Sequence, residues 1–275
     1  MTSLGNLRRM TYLYLGRKTS RYIYALQALA TITPTIMKIP TIYGIIERRI
    51  LVNFTVDPDI IRRIIPQPFR PKIYKDKAIV GICLIRLKQI RPKGLPIFMG
   101  ISSENGAHRI AVEWTEHGET LEGVFVPRRD TSSFLNTIAG GRIFPGRHFH
   151  AKFDVKEAEG HYHIAFKSSD GTTISIDGDQ TEKLNSTSIF ENIDNASNFF
   201  EGGAVGYSPN GDKYDGLKLK TFNWKVEPLN VTAVHSSFFE NEELFPKGSV
   251  QFDNALLMKQ IKHEWYSVGQ KSQCL

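Results

Sequence analysis

From residue 48 onward, apolar and polar residues alternate in segments that short turn-forming stretches separate. Alternation with a period of two predicts strands, because successive side chains of a strand point to opposite faces of a sheet. The predicted strands cover residues 50–56, 78–90, 107–116, 121–126, 149–155, 161–166, 172–176, 217–227, 230–236 and 255–267. This stretch contains no internal repeat and no linker, so the pattern predicts a single β-rich domain.

Short helices are predicted at three points between the strands. Asp57-Pro58 supplies an N-cap and a first helical residue ahead of an isoleucine stripe. The polar run 128–133 offers N-caps for a second helix that the glycine pair 140–141 ends. Residues 188–203 are predicted to hold a third helix or an irregular segment. The predicted fold class is therefore mainly β, a β-rich α+β fold.

The net charge of +7 is concentrated at the start of the chain. Residues 1–36 contain five basic residues and no acidic one, which leaves +2 for the rest. A domain so close to neutral lacks the basic surface that a nucleic acid requires, so no nucleic-acid partner is expected.

The basic leader 1–36 has three interpretations: a transit-type peptide, a membrane-surface segment, or an extension upstream of a start at Met37. Gln27 and Pro34 interrupt its apolar stretch, which is too short to cross a bilayer, so no stable membrane insertion is expected. We favour the extension.

Cysteine and histidine usage excludes two classes of site. Cys83 and Cys274 are the only cysteines, which indicates neither a disulfide framework nor a thiolate metal site and favours a cytoplasmic protein. The pairs His148/His150 and His161/His163 each share a strand face, but a hairpin between them places the pairs toward opposite ends. With no obvious carboxylate partner, they predict no metal site, and no cofactor is expected.

One acidic residue and several arginines are candidates for a binding site. Glu104 lies in the segment SSENG, where a turn-capping carboxylate is the simpler interpretation. Arg129, Arg142 and Arg147 surround the glycine-rich corner AGGRIFPGR. Arginines at strand ends usually pair at the surface, but several around one corner also suit an anion clamp, because the guanidinium fork matches a carboxylate. The residues alone leave both interpretations open.

Longer stretches carry a family resemblance. RRILVNFTVDPDIIRRIIPQPF, SSENGAHRIAVEW, VPRRDTSS, AGGRIFPG and ALLMKQIKHEW together resemble the YqjF-like family, a domain of unknown function, from about Met37 to about Tyr266. Members typically begin near this Met-Lys-Ile-Pro, which implies that 1–36 lies outside the fold and that 37–275 is one domain. The YqjF-like family in turn resembles a branch of the acetoacetate decarboxylase superfamily, which implies a β-barrel or double-cone fold with a central pocket.

The resemblance also implies site residues. SSENG is similar to the segment of the decarboxylases that carries the active-site glutamate, which places Glu104 there. AGGRIFPGR is similar to the corner that carries their Schiff-base lysine, yet here Gly146-Arg147 follows the proline. Arginine stays charged and does not form that imine, so lysine-dependent decarboxylation is disfavoured. Arg48 or Arg49 lies near the decarboxylase's pocket arginine.

Two functional hypotheses follow. The first is a protein that binds a small anionic, keto acid-like molecule in a pocket; its predicted lining is Arg48, Glu104, Arg129, Arg142 and Arg147. The second is a lyase or hydratase-like enzyme on a keto acid, with Glu104 as the acid or base and Arg147 stabilising developing negative charge. The expected partner is the small molecule, with homo-oligomerisation as a further possibility.

Overall fold

The computed structural model describes residues 40–133 and 145–272. Within these ranges the chain forms thirteen strands. They are β1 (Ile42–Val56), β2 (Arg70–Pro71), β3 (Ile73–Tyr74), β4 (Lys77–Pro92), β5 (Ile101–Glu116), β6 (Glu119–Thr131), β7 (His148–Ala158), β8 (His161–Ser168), β9 (Thr173–Gln180), β10 (Val205–Asn210), β11 (Lys213–Thr221), β12 (Glu227–Ser236) and β13 (Gln251–Ser272).

Helices occupy little of the described chain. The helix α1 (Pro58–Ile64) begins with the predicted Asp57 cap, whose side chain accepts a hydrogen bond from the Asp59 backbone amide. The helix α2 (Ile193–Glu201) is capped by Asn192 and continues into a 3-10 turn at Gly202–Ala204. A second 3-10 turn lies at Ile97–Met99.

Strand pairing closes two rings. β1 lies between β13 and β4, β4 pairs with β5, and β5 pairs with β6. From β6, one path returns to β13 through β10 and β11, and the other returns through β7, β8, β9 and β12. The strands β13, β1, β4, β5 and β6 therefore belong to both rings.

The two faces of the shared strands pack into different apolar clusters. On β4, Ile82 and Leu84 belong to the first core, whereas Cys83 and Leu87 belong to the second. The second core extends to Phe200 of α2. A fully buried aliphatic side chain contributes about 1.5–3 kcal/mol to folding, so both faces of each shared strand are specified strongly.

The strand pattern and its mainly β fold class are confirmed, and β6 extends further into the polar run 128–133 than the predicted strand 121–126 did. Residues up to Thr131 continue β6, because Arg128 and Arg129 pair with His108 and Ala107 of β5 and so extend the ladder. Ser132 and Ser133 of the run follow the end of the strand. The rest of the helix predicted from this run, its glycine pair, the extension 1–36 and Cys274 lie outside the described residues.

The histidines of β8 also differ from expectation. His163 Nδ1 lies 2.8 Å from Asp177 Oδ1, and His161 Nδ1 lies 2.9 Å from Asp179 Oδ1. Both aspartates lie directly across the β8–β9 ladder. Sequence periodicity did not reveal these carboxylate partners, because the register between β8 and β9 determines which residues face each other.

In the part of the chain that the structure describes, no helix is long and apolar enough to cross a membrane.

Candidate functional site

The second core leaves a cavity of about 110 Å³ between the shared strands and β10, β11 and the turn after α2. Much of its lining is apolar, with Ile85, Val126, Leu217 and Trp265 as examples. The polar or titratable residues among its described lining are Arg49, Cys83, Asn105, Arg109, Arg129, Asp130 and His148. A mostly apolar cavity with a few converging polar groups is the usual form of a small-molecule site.

Strand register brings three of these side chains together. Cys83 of β4 lies opposite Leu51 of β1 and Ala107 of β5. Arg49 and Arg109 are each two residues from those partners, so both occupy positions diagonal to Cys83 on the same face. The result is a thiol between two guanidinium groups from the neighbouring strands.

Arg109 is the most deeply buried of the cavity cations. Its residue is only 3% exposed, its Nη2 donates to Asn53 Oδ1, and its Nε has no hydrogen-bond partner. Its guanidinium carbon lies 4.8 Å from the centre of the Phe200 ring. Burial lowers the pKa of Arg109 from its ordinary value.

Arg49 reaches the sulfur of Cys83. Its Nη2 donates to Cys83 Sγ at 3.5 Å, while its Nε has no hydrogen-bond partner. Burial raises the pKa of the Cys83 thiol, but the charges and hydrogen bonds of Arg49 and Arg109 outweigh burial and leave this pKa below its ordinary value.

Arg129 lies next to the described end of the glycine-rich corner. Its Nε donates to the Pro145 carbonyl at 3.0 Å, and its Nη2 donates to Ser208 Oγ at 3.3 Å. Burial lowers its pKa to about 10. His148 also lines the cavity, and burial followed by the charge of Arg129 lowers its pKa to about 4. The imidazole is therefore neutral at pH 7.

Gly146 shapes this end of the cavity. Its φ is +93°, a left-handed conformation that side chains other than glycine rarely adopt. A Cβ at this position would also lie 2.6 Å from Ser208 Cβ. The first residue after Pro145 is therefore held as glycine by backbone geometry and by close packing.

The three cavity arginines, Arg49, Arg109 and Arg129, share one electrostatic property. None of them forms an ion pair with a carboxylate of the described residues. Asp130 lines the same cavity, but its carboxylate accepts hydrogen bonds from Arg128 and from Ser168. Three guanidinium groups thus lie around one small, mostly apolar space without a carboxylate partner among the described residues.

Glu104 and Arg48 lie on the opposite face of the same strands. Arg48, Arg86 and Glu104 are direct neighbours across β1, β4 and β5, and Glu104 forms ion pairs with both arginines. Glu157 completes this paired cluster, 2.8 Å from Arg48 Nε and 3.1 Å from Arg86 Nη1. Neither Glu104 nor Arg48 is among the described residues that line the cavity.

The other predicted site residues divide in the same way. Arg129 lines the cavity, whereas Arg147 is exposed, with its guanidinium 4.8 Å from the centre of the Phe149 ring. Arg142 lies outside the described residues. The structure thus brings Glu104 to Arg48, and Arg129 to Ser208 and His148, but it does not join these two groups.

Sequence reasoning missed Cys83, Arg109 and His148 as cavity residues and left Arg49 as an alternative to Arg48. A usable signal existed for two of them. Cys83 lies in the apolar strand IVGICLI, and Arg109 interrupts the apolar pattern of AHRIAVEW. A charged residue inside such a pattern costs free energy to bury, so it is a candidate for a functional role.

The comparison with protein families fits this architecture. The sequence matches the profile of DUF2071, described as "Uncharacterized conserved protein (COG2071)", over residues 46–258. The chain belongs to the DUF2071 family. No curated protein matches its sequence.

Solved structures show which fold this DUF2071 chain adopts. Acetoacetate decarboxylase from Legionella pneumophila superposes with a TM-score of 0.51 at 13% identity, covering 83% of this chain and 87% of that one. An acetoacetate decarboxylase-like enzyme from Sphingomonas wittichii RW1 gives 0.50 at 10% identity, covering 89% and 98%. The enduracididine biosynthesis enzyme MppR, complexed with pyruvate, gives 0.50 at 9% identity, covering 89% and 94%.

Identities this low establish the fold and leave the chemistry to the site itself. The predicted relationship, a domain family of unknown function with an acetoacetate decarboxylase-like fold, is confirmed. The two closed rings of strands agree with the double-cone description of that fold.

Proposed function

We propose that this DUF2071 protein binds a small carboxylate of the keto acid class in the cavity that Arg49, Arg109 and Arg129 line. One observation carries the proposal: the three cavity arginines are partly or fully buried, and none is paired with a carboxylate of the described residues. Buried charges in proteins are normally paired, because an unpaired buried charge is strongly destabilising. A bound anion supplies the missing partner.

The size and lining of the cavity favour a small ligand with an apolar part. The volume of about 110 Å³ suits a molecule of a few heavy atoms, and the apolar lining suits a short carbon chain. MppR, which shares the fold, has been crystallised with pyruvate, a keto acid of this size. This neighbour supports the ligand class by analogy only.

Lysine chemistry is not part of the proposal. Among the described residues that line the cavity, no lysine occurs. The nearby Lys72 forms an ion pair with Glu122 at 2.6 Å, and its ammonium lies 4.2 Å from the centre of the Phe199 ring. The acid–base role predicted for Glu104 remains a prediction that this proposal does not use, since two arginines neutralise that carboxylate.

Calorimetric titration tests the proposal with pyruvate, acetoacetate and the neutral analogue methyl pyruvate. We expect the two acids to bind and the ester to bind at least about tenfold more weakly, because a charge-assisted hydrogen bond contributes about 1.5–3 kcal/mol. Arg49→Gln and Arg129→Gln should each weaken binding of the acids by about ten- to hundredfold.

The matched control is Arg63→Gln, which removes the same charge from an exposed position on α1. It should leave the affinity unchanged. Equal affinity for acid and ester, or equal losses in the cavity variants and the control, would refute anion binding in this cavity.

A further inference from the structure

Cys83 is the only nucleophilic side chain at the centre of the cavity's charged wall among the described residues. Its thiol belongs to the middle strand of three, and Arg49 and Arg109 flank it from β1 and β5. The sulfur accepts a hydrogen bond from Arg49 Nη2 at 3.5 Å. The residue is 4% exposed, so its sulfur is reached by way of the cavity that it lines.

The surroundings of this thiol favour its ionised form. Two guanidinium groups stabilise a negative sulfur, and none of the cavity arginines is neutralised by a carboxylate of the described residues. Thiolates, and not thiols, are the nucleophiles in substitution and addition reactions. The sulfur is thus prepared for chemistry that an isolated buried cysteine does not perform.

A second observation points to a ligand beside this sulfur. Arg109 is 97% buried, lines the same cavity, and has an Nε without a hydrogen-bond partner. The guanidinium of Arg49 leaves its own Nε without one as well. Donors of this kind, on both sides of the sulfur, suit a carboxylate held within reach of the thiol.

We propose that Cys83 is a nucleophile that forms a thioether with small carboxylates bearing an electrophilic carbon, such as 2-enoates, which Arg49 and Arg109 hold beside it. This inference rests on the anion site proposed above and narrows its ligand class to acids that react with a thiolate.

The reaction balances without an oxidant or a cofactor. With a 2-enoate, the Cys83 sulfur forms a bond to the β-carbon, and the π electrons of the double bond move toward the α-carbon and its carboxylate. Positive charge from the two arginines stabilises the enolate that develops. The thiol gives its proton to water when it ionises, and the α-carbon takes one proton back from water, so that overall S–H adds across the double bond.

The surface next to the cavity carries a second cleft. This outer cleft of about 370 Å³ shares Arg49, Gly203, Ala204 and Leu219 with the cavity. Lys218, Lys220 and Glu201 line the outer cleft and are exposed, so the two lysines outnumber the single carboxylate there. This excess of positive charge favours the approach of anions over neutral molecules of similar size.

Charge-selective alkylation of the full chain tests the inference. The thiolate displaces iodide from iodoacetate or from iodoacetamide, which have the same reacting carbon but differ in charge. Peptide mass spectrometry over time measures the rate at Cys83, and Cys274 serves as the second thiol of the same chain. We expect Cys83 to react about tenfold or more faster with iodoacetate, and Cys274 to show no such preference.

Two variants and one competitor sharpen the test. Arg49→Gln and Arg109→Gln should abolish the iodoacetate preference, whereas the exposed Arg63→Gln should keep it. Pyruvate should protect Cys83 from iodoacetate in the wild-type protein, a comparison that needs no variant to fold. Incubation with fumarate should add the mass of fumarate at Cys83 and not in Cys83→Ser.

The outcomes separate this inference from the proposed function. If pyruvate binds by calorimetry, but Cys83 shows no charge preference and no fumarate adduct, the anion site stands and the nucleophile is refuted. If pyruvate does not bind and Cys83 also reacts without preference, both fail. An adduct at Cys83 that pyruvate blocks supports both.

Discussion

Arg48 and Arg49 are consecutive residues of β1, yet they differ in whether carboxylates neutralise their charges. Arg48 points to the paired cluster, where Glu104 and Glu157 neutralise it, whereas Arg49 points to the cavity and pairs with no carboxylate of the described residues. Arg128 and Arg129 repeat the contrast on β6, since Arg128 binds Asp130 and Asp170. Arginines that the fold's own carboxylates neutralise have a structural role. Arginines that lack a carboxylate partner among the described residues are explained better by a ligand.

The largest expected effect concerns the paired side. Arg48→Met should lower the free energy of unfolding by about 3 kcal/mol, because it leaves the carboxylates of Glu104 and Glu157 with Arg86 as their only arginine partner among the described residues. Urea denaturation measures the loss. A loss of unfolding free energy no larger than that of the exposed Arg63→Gln would show that the paired cluster is dispensable for stability. The structural role assigned to the paired arginines would then be wrong.

On the cavity side, we expect a small effect on stability and a large effect on ligand affinity. Arg109→Met removes a buried charge that has no carboxylate partner, but it also removes the donor to the buried Asn53 Oδ1, so we expect the free energy of unfolding to stay within about 1 kcal/mol of wild type. The same change should weaken keto acid binding by about ten- to hundredfold. Denaturation and calorimetry on one sample check both parts. Loss of stability comparable to Arg48→Met would make Arg109 a structural residue.

Acid should destabilise the fold through its buried histidines. Burial lowers the pKa of His108 to about 3 and those of His148 and His263 to about 4, all below the ordinary 6.5. The unfolded chain binds protons at these rings below about pH 6.5, whereas the folded chain does not until about pH 4. Their contribution to stability is therefore fully present above pH 6.5 and is lost as the pH falls toward 4.

Denaturation across pH 4–8 measures this loss. His108→Phe should make the fall shallower, since His108 is fully buried with its ring centre 4.5 Å from that of Phe238. An unchanged slope in this variant would mean that His108 is protonated in the folded chain, which its neighbour Arg128 opposes.

The smallest effect is expected at Arg147. Its side chain is exposed and contacts the Phe149 ring, so Arg147→Ala should change stability by less than about 0.5 kcal/mol. Its effect on pyruvate affinity should be smaller than that of Arg129→Gln. An equal effect would bring Arg147 into the binding site, as the sequence suggested, and would extend the group of binding arginines to four.

Sequence periodicity predicted the strands well because both faces of the shared strands are buried and patterned. The site was harder, since two bulges shift the facing of side chains. Register changes between Ile46 and Arg48 against β4, and between His108 and Ile110 against β6. Alternation along one strand does not reveal such a shift, which is why the choice between Arg48 and Arg49 stayed open until strand pairing decided it.

The five strands shared by the two rings form a single layer, with the cavity on one face and the first core on the other. This separation has a consequence for substitutions. On β4 and β5, residues 83, 85, 105 and 107 face the cavity, while residues 82, 84 and 110 pack into the first core. A substitution at a cavity position therefore changes the lining of the cavity without altering the side chains that pack behind it. Under the proposed function, this separation lets the ligand preference change while the first core stays the same.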